Sequence, residues 1–144
     1  MQSAARILGL RLLVFNVAND TEIAPIFATL VEHQIGAIVV GGGQNVYAKR
    51  DQILSLAARF VLPTMFAGSD SARAGGLLSY GTDFIEAFRQ LGAYTGRILK
   101  GEKPADLPIV QSAKFEFVIN LKTAKALGLN LPPTLLAIAD EVIE

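Results

Sequence analysis

GGLLSYGTDFIEAFRQLGAYTGRILKGEKPADLPIVQSAKFEFVINLKTAKALGL, residues Gly75–Leu129, alternates strand and helix signals twice over. Leu77–Tyr80 is a short apolar run and predicts a strand. Thr82 is placed to cap a long helix reaching about Lys100. In it Ile85, Phe88, Leu91, Thr95 and Ile98 fall on one face, the spacing of an amphipathic helix. Gly101 stops that helix, and Pro104 and Pro108 mark an extended linker. Lys114–Ile119 (KFEFVI) alternates polar and apolar residues, so it predicts a half-exposed strand near an edge. Asn120 caps a last short helix that ends at Gly128.

The same alternation runs upstream. Gln2–Leu8 has the character of a helix tail closed by Gly9. Arg11–Val17 (RLLVFNV) predicts a buried strand, and Asp20 a cap for the helix that follows. Ile23, Phe27, Leu30 and Val31 then recur at i, i+4, i+7 and i+8. Gly36–Val40 (GAIVV) has almost no polar side chain, as in strands covered on both faces. Gly41–Gly43 ends it, and Asn45 is expected to cap a helix to about Phe60 with Ile53, Leu54, Ala57 and Phe60 inward. Pro63–Ala67 predicts another strand, Ser69–Gly76 a polar loop, and Pro132–Pro133 a terminal helical turn or two. Such alternation implies an α/β fold: a mostly parallel sheet with right-handed crossovers and helices on both faces, a three-layer sandwich.

Composition removes whole classes of function. The chain has 144 residues, enough for one domain with its own core. Thirteen basic residues balance thirteen acidic ones, so the basic excess that nucleic acid or an anionic membrane surface demands is missing. The longest apolar runs, such as Gly36–Gly43, are too short to span a bilayer. Cysteine is absent, which excludes disulfides and thiol chemistry. His33 is the single histidine; it sits late in an amphipathic helix and supports no metal cluster. No serine lies in a G-x-S-x-G elbow, and no carboxylate spacing suggests an acid–base pair. Acidic residues at strand ends number only Asp20 and Asp70, too few for a receiver domain. The reading is therefore non-enzymatic, with no catalytic residue, metal or cofactor.

In open sheets of this kind ligands bind outside the carboxyl ends of the strands. That nominates the loops Val17–Asp20, Gly41–Tyr47, Gly68–Arg73 and Ser79–Asp83, and within them Asn19, Gly43, Gln44, Asn45, Tyr47, Gly68, Ser69, Ser79 and Tyr80. The glycine triplet lacks both the G-x-G-x-x-G spacing and a G-K-[ST] ending, so a nucleotide phosphate is disfavoured. Asn45 and Asn120 are read first as helix caps, although a cap at a strand end also faces a cleft. Tyr80 offers a ring face and a hydroxyl to an aromatic or amphiphilic solute, or packs at a hinge. Tyr47 and Phe66 are aromatic candidates whose default is packing. Arg73 is a solvated loop arginine or a fork for a ligand carboxylate. Asp140, Glu141 and Glu144 read as a solvated face.

Three segments, SYG at Ser79–Gly81, GRILKGEKPADLP at Gly96–Pro108 and KFEFVINLKTAKALGL at Lys114–Leu129, together with PPTLLAIADEVIE at Pro132–Glu144, resemble the solute-binding proteins of ABC importers, in the branch for aromatic amino acids or related compounds. The resemblance implies one lobe of a type I periplasmic-binding-protein fold, the C-terminal half of a clamp of about twice this length. It implies a small-molecule solute, an importer permease as partner and an extracytoplasmic location. It also implies that Leu12–Asp20, Gly36–Tyr47 and Pro63–Asp70 are strands with ligand-facing loops. Gly43-Gln44-Asn45 and Ala67-Gly68-Ser69-Asp70 depart from the usual residues of such proteins, F-R-E-F at the second place, so the solute does not transfer. The same two-lobed fold serves as an effector domain in regulators, which stands as the alternative. By the resemblance the second lobe opens one strand earlier, and that strand sits centrally, next to Arg11–Val17 and Gly36–Val40. The helix Thr82–Lys100 and its flanks belong against the first lobe. Half a site, an unpaired sheet edge and an uncovered helix face are the expected consequences, and with them self-association.

Overall fold

Five strands form one sheet in the order β1 (Ile38–Val40), β2 (Thr64–Phe66), β3 (Leu78–Thr82), β4 (Phe115–Asn120) and β5 (Glu141–Ile143), in a computed structural model that describes residues 2–41, 43–110 and 114–144. β1, β2 and β3 are parallel, β4 is antiparallel to β3, and β5 is parallel to β4. The helices are α1 (Gln2–Ile7), α2 (Ile23–Glu32), α3 (Gln44–Tyr47), α4 (Arg50–Arg59), α5 (Ser69–Arg73), α6 (Phe84–Leu99), α7 (Leu121–Ala126) and α8 (Pro133–Leu136). This is the α/β arrangement with a mostly parallel sheet that the sequence predicts.

The core follows the apolar periodicity. Ile23, Phe27 and Leu30 of α2 meet Ile53 and Ala57 of α4, with Leu62 and Phe66, beneath β1 and β2. Phe27 stacks on Phe60 with ring centroids 6.0 Å apart. Val31, the fourth residue of the expected face, is exposed, because a helix this short has only one narrow stripe against the sheet. Val118 and Ile119, on opposite faces of β4, are both fully buried.

Several elements differ from the sequence reading. Residues 11–17 form no strand and make no backbone hydrogen bond among the described residues; an apolar extended segment becomes a strand only when a neighbour pairs with it. The expected helix from Asn45 to Phe60 is two helices, with Ala48 and Lys49 in a turn between them. Asn45 lies inside α3 rather than capping it, and Lys49 is turned aside to pair with Asp20. Ser69–Gly76 is not a loop throughout, since it begins with α5. Burial overrides its polar composition: Ser71 and Ala72 are buried, and Asn120 Nδ2 donates to the Ala72 carbonyl at 2.9 Å. Asp83, not Thr82, caps α6, its Oδ1 accepting from the backbone N–H groups of Ile85 and Glu86 at 3.0 and 3.1 Å. Thr82 is occupied in the ladder opposite Phe115. β4 is half-exposed and lies next to the edge, as the alternation in Lys114–Ile119 predicts, with β5 outside it. Asn120 does cap α7, accepting from Thr123 N–H at 3.0 Å.

No residue of α6 is buried, and Phe88 and Leu91 are 68% and 61% exposed. The helix is held at its ends, by the Asp83 cap and by the Tyr94 hydroxyl donating to the Pro108 carbonyl at 2.8 Å. Its apolar stripe is left open to solvent.

Val61 ends α4 at φ +55°. Leu62 N–H bonds the Ala57 carbonyl at 2.9 Å and Val61 N–H that of Ala58 at 3.3 Å, the helix-ending pattern in which glycine is preferred at the left-handed position. A left-handed β-branched residue costs about 1–2 kcal/mol. The Val61 side chain is exposed, so little packing is at stake. Val61→Gly is expected to stabilise the chain by about 1 kcal/mol, seen as a higher urea midpoint. A lower midpoint would mean that the Val61 side chain contributes more than its exposure allows.

Candidate functional site

The parallel strands end together. Val40, Phe66 and Ser79 stand in register across β1, β2 and β3, so Gly41, Ala67 and Tyr80 begin the carboxyl rim. β1 leads into α3 and β2 into α5, which brings Tyr47 of α3 beside Asp70 of α5. The Tyr47 hydroxyl donates to Asp70 Oδ2, and Arg50 Nη1 donates to the same oxygen at 2.8 Å. The Arg50 guanidinium lies 5.7 Å from the Tyr47 ring centroid and also pairs with Asp51 at 2.9 Å. Asp70 Oδ1 takes no hydrogen bond among the described residues.

Gly68 is what lets the Asp70 carboxylate fold back. A Cβ at Gly68 would stand 2.7 Å from Asp70 Oδ1 and 3.9 Å from the Tyr47 ring. The hydrogen bond to Asp70 holds the Tyr47 phenol above its ordinary range, and partial burial and the Asp70 charge push it the same way. The phenol is therefore a fixed neutral donor at neutral pH, and Tyr47 as a residue remains 55% exposed. What the rim offers is a flat aromatic face, a carboxylate with one open oxygen and a committed arginine.

Of the sequence-nominated residues, Tyr47, Gly68 and Ser69 come together here. Gly43 stands behind them, its carbonyl accepting Tyr47 N–H at 2.9 Å. Gly42 and the side chains of Gln44 and Asn45 lie outside the described residues. Asn19 flanks the group in a turn where Glu22 accepts the N–H of Ala18 at 2.8 Å and that of Asn19 at 3.3 Å. Ser79 is fully buried with no partner for its hydroxyl among the described residues. Tyr80 points to the other face of β3 and stacks on Phe115, centroids 5.6 Å apart at 13°, with Phe117 edge-on at 6.1 Å. Arg50 and Asp70 were not nominated as site residues. The strand-end rule had already marked the loop carrying Asp70, and that was the signal available.

Arg73 is part-solvated, and its guanidinium is already taken by side chains of the protein. It pairs with Glu141, with Glu116 at 3.1 Å, and with the Ser69 hydroxyl at 3.1 Å, tying α5 to β4 and β5. Asp140 and Glu144 are exposed and Glu141 is half-exposed, as the solvated-face reading expects, but Glu141 also joins an ion network, and Asp140 accepts Phe117 N–H at 2.8 Å. Lys114 Nζ donates to Asp83 Oδ2 at 2.8 Å, and Asp83 N–H to the Lys114 carbonyl at 3.0 Å. The start of α6 and the start of β4 are strapped together there.

These pairs set the response to acid. Arg73 lowers the Glu141 carboxyl, Lys114 lowers that of Asp83, Arg97 that of Glu102, and the Ala18 N–H that of Glu22. A carboxyl depressed in the folded state contributes stability that is present above its unfolded value and lost as pH falls through its folded value. Unfolded values here are 4.5 for glutamate and 3.8 for aspartate. The melting temperature is expected to be level from neutral pH to about 5 and to fall steeply below about 4.5. Thermal melts across pH 2.5–7 check this (roughly the window in which these carboxyls titrate). A melting temperature that rises on acidification would contradict the pairings.

A mostly parallel sheet with loops and helix starts gathered at its carboxyl rim, an open ring and an open carboxylate oxygen defines one lobe of an α/β binding protein. The chain belongs to the ABC transporter substrate-binding protein family, whose model matches residues 1–143. It is similar to a domain from Streptococcus pneumonia solved in complex with L-Trp, at 28% identity and TM-score 0.86, over 98% of this chain and 48% of that one. It also shares its fold with a conserved domain protein from Vibrio cholerae (21% identity, TM-score 0.86, 98% of this chain and 47% of that one). A ligand-free, open substrate-binding protein with adhesive properties from Clostridium difficile is similar at 21% identity and TM-score 0.66, over 99% and 47%. The chain thus spans about half the length of these solved proteins. No curated protein matches it. Among the described residues no helix is long and apolar enough to cross a membrane.

Proposed function

We propose that these residues form the C-terminal lobe of a two-lobed receptor that binds a small solute and passes it, chemically unchanged, to an ABC importer outside the cytoplasm. The observation that carries the reading is the Tyr47–Asp70–Arg50 group at the carboxyl rim. The solute class is an amino acid with an aromatic or large apolar side chain. Its ammonium suits the open Asp70 oxygen, and its side chain suits the exposed Tyr47 ring. The L-Trp bound by the Streptococcus relative supports this choice. The second lobe closes over the solute by hinge motion, shifting the population toward the closed form. Gly43, Gln44, Asn45, Gly68 and Ser69 belong to the near wall in this reading, with Asn19 at its flank and Ser79–Tyr80 at the crossing between lobes. The open stripe of α6 packs on the first lobe.

Calorimetry with L-tryptophan and indole-3-propionate tests the site. Asp70→Asn is expected to weaken L-tryptophan at least tenfold and to leave the des-amino acid unchanged within twofold, since removal of a charge-assisted pair costs about 1.5–3 kcal/mol. Tyr47→Phe controls for loss of the hydroxyl bond. Equal loss for both ligands, or conversion of either, would overturn the reading.

A further inference from the structure

α5 carries Ser69 and Asp70 to the rim, and it is too short to hold its own position. It has five residues, whereas isolated helices shorter than about 12 residues are marginal in water. Gly68 stands at its N-cap and has no side chain to close the first turn. The anchors come instead from β4, α7 and β5. Asn120 Nδ2 donates to the Ala72 carbonyl at 2.9 Å, and Thr123 Oγ1 to that of Gly75 at 3.0 Å. Arg73 spans the two strands. Its Nε and Nη2 meet the two carboxylate oxygens of Glu141 as a fork, Nε at 3.3 Å, and Nη2 also donates to Glu116 at 3.1 Å. Its Nη1 turns back to the Ser69 hydroxyl at 3.1 Å. All three guanidinium nitrogens are thus engaged, two with the sheet and one with the rim end of the same helix. Glu141 is a fixed point, because Asp140 just before it exchanges two 2.8 Å bonds with the Phe117 backbone. Exposed ion pairs contribute little singly, but a bidentate arginine within a network is the exception.

We infer that Arg73 is a positioning residue: by pinning α5 to Glu141 and Glu116 it sets where the Asp70 carboxylate stands against Tyr47, and so sets the affinity of the rim for an ammonium group without touching the solute. The inference rests on the reading of this rim as the solute site. Asp70 lies one helical turn before Arg73, so a shift of the fork is passed on within a single turn. On the rim side Asp70 is met by Tyr47 of α3 and Arg50 of α4, and Arg73 fixes the far end of the same short helix. A planar fork restrains rotation as well as distance, whereas a lysine ammonium is a single point of charge. Arg73 is also the cation that Glu116 and Glu141 share. Without it two carboxylates on neighbouring strands face each other unscreened, and like charges so placed are destabilising. α5 and the β4–β5 edge then move apart, and Asp70 moves with α5.

The test compares Arg73→Met and Arg73→Lys with the parent chain. The Tyr47 phenol is titrated through its ring resonances, assigned with Tyr47→Phe, and L-tryptophan and indole-3-propionate are titrated by calorimetry. In Arg73→Met the phenol midpoint is expected to fall back toward its ordinary value, because Asp70 withdraws and leaves the hydroxyl beside Arg50. L-Tryptophan is expected to weaken at least about fivefold, with indole-3-propionate unchanged within about twofold, a coupling within the usual range for one ion network. Arg73→Lys is expected to recover part of both effects, since it restores the charge and not the fork. Should Arg73→Met fail to fold, Glu141→Gln carries the same expectation, because it keeps the side chain's size and breaks the fork. A folded variant whose Tyr47 midpoint equals the parent's would overturn the positioning role, whatever its affinities. Equal weakening of both ligands would make Arg73 structural only and would overturn it as well. A parent that binds no L-tryptophan would contradict the solute reading alone, and the phenol midpoint would still decide whether Arg73 places Asp70.

Discussion

Gly81→Ala is expected to be among the most damaging single substitutions in the chain, lowering stability by about 3 kcal/mol or more. A Cβ at Gly81 would stand 2.0 Å from the Ala67 carbonyl oxygen, 2.9 Å from its carbon and 3.2 Å from the Ala67 Cα. All three are backbone atoms, so no rotamer change relieves the clash. Gly81 is held opposite Glu116 by the β3–β4 ladder, while Ala67 follows directly on β2. One of them must move. Moving Ala67 drags Gly68 and Asp70 with it, so any folded Gly81→Ala protein should also lose the Tyr47–Asp70 bond. The sequence reading gave the tyrosine of the S-Y-G segment either a ligand-facing role or packing at a hinge; the glycine has a separate reason to be there, a close backbone approach. Urea unfolding measures the first effect and the Tyr47 pKa the second. Stability within about 0.5 kcal/mol of the parent, the usual range for an unconstrained surface change, would contradict the packing described.

The second large effect concerns affinity. The 144-residue chain is expected to bind its solute at least about a hundredfold more weakly than a two-lobed protein containing it, a loss of about 2.7 kcal/mol. Ligand sites bury about 70–90% of a small ligand's surface. Here Tyr47 is more than half exposed, and the rim covers the solute from one side only. Water stays in contact with Asp70, and a hydrated carboxylate binds an ammonium weakly. Calorimetry on the chain alone and joined to a first lobe decides the matter. Equal affinity would show that the rim is a complete site and that closure has no part in binding.

What the sequence showed and what it hid divide along a physical line. Ile23, Phe27 and Leu30, the Asn120 cap and the left-handed Gly9 and Gly128 are local features, specified by residues within a turn or two of each other. Each was legible. β5 was not, because Glu141–Ile143 is three residues long and exists only by pairing with β4. The reverse happened at residues 11–17, where strand-like composition met no neighbour and made no strand. The rim group was half visible. The strand-end rule found the loops of Tyr47 and Asp70, but Tyr47 and Arg50 meet Asp70 across 23 and 20 residues of chain. That meeting depends on β1 lying beside β2 and on the break between α3 and α4, neither of which has a local signal. Ser79 looked like a rim residue by position, yet the alternation of β3 turns it into the interior and turns Tyr80 outward.

The most direct test of the binding account is a nuclear magnetic resonance titration of the chain with L-tryptophan, following every backbone amide. The account predicts saturable shifts centred on Gly43, Tyr47, Gly68, Ser69 and Asp70, a weak dissociation constant, and tryptophan recovered unchanged. Shifts confined to residues 11–17 and β1, with the rim amides still, or a tryptophan altered by the protein, would contradict it.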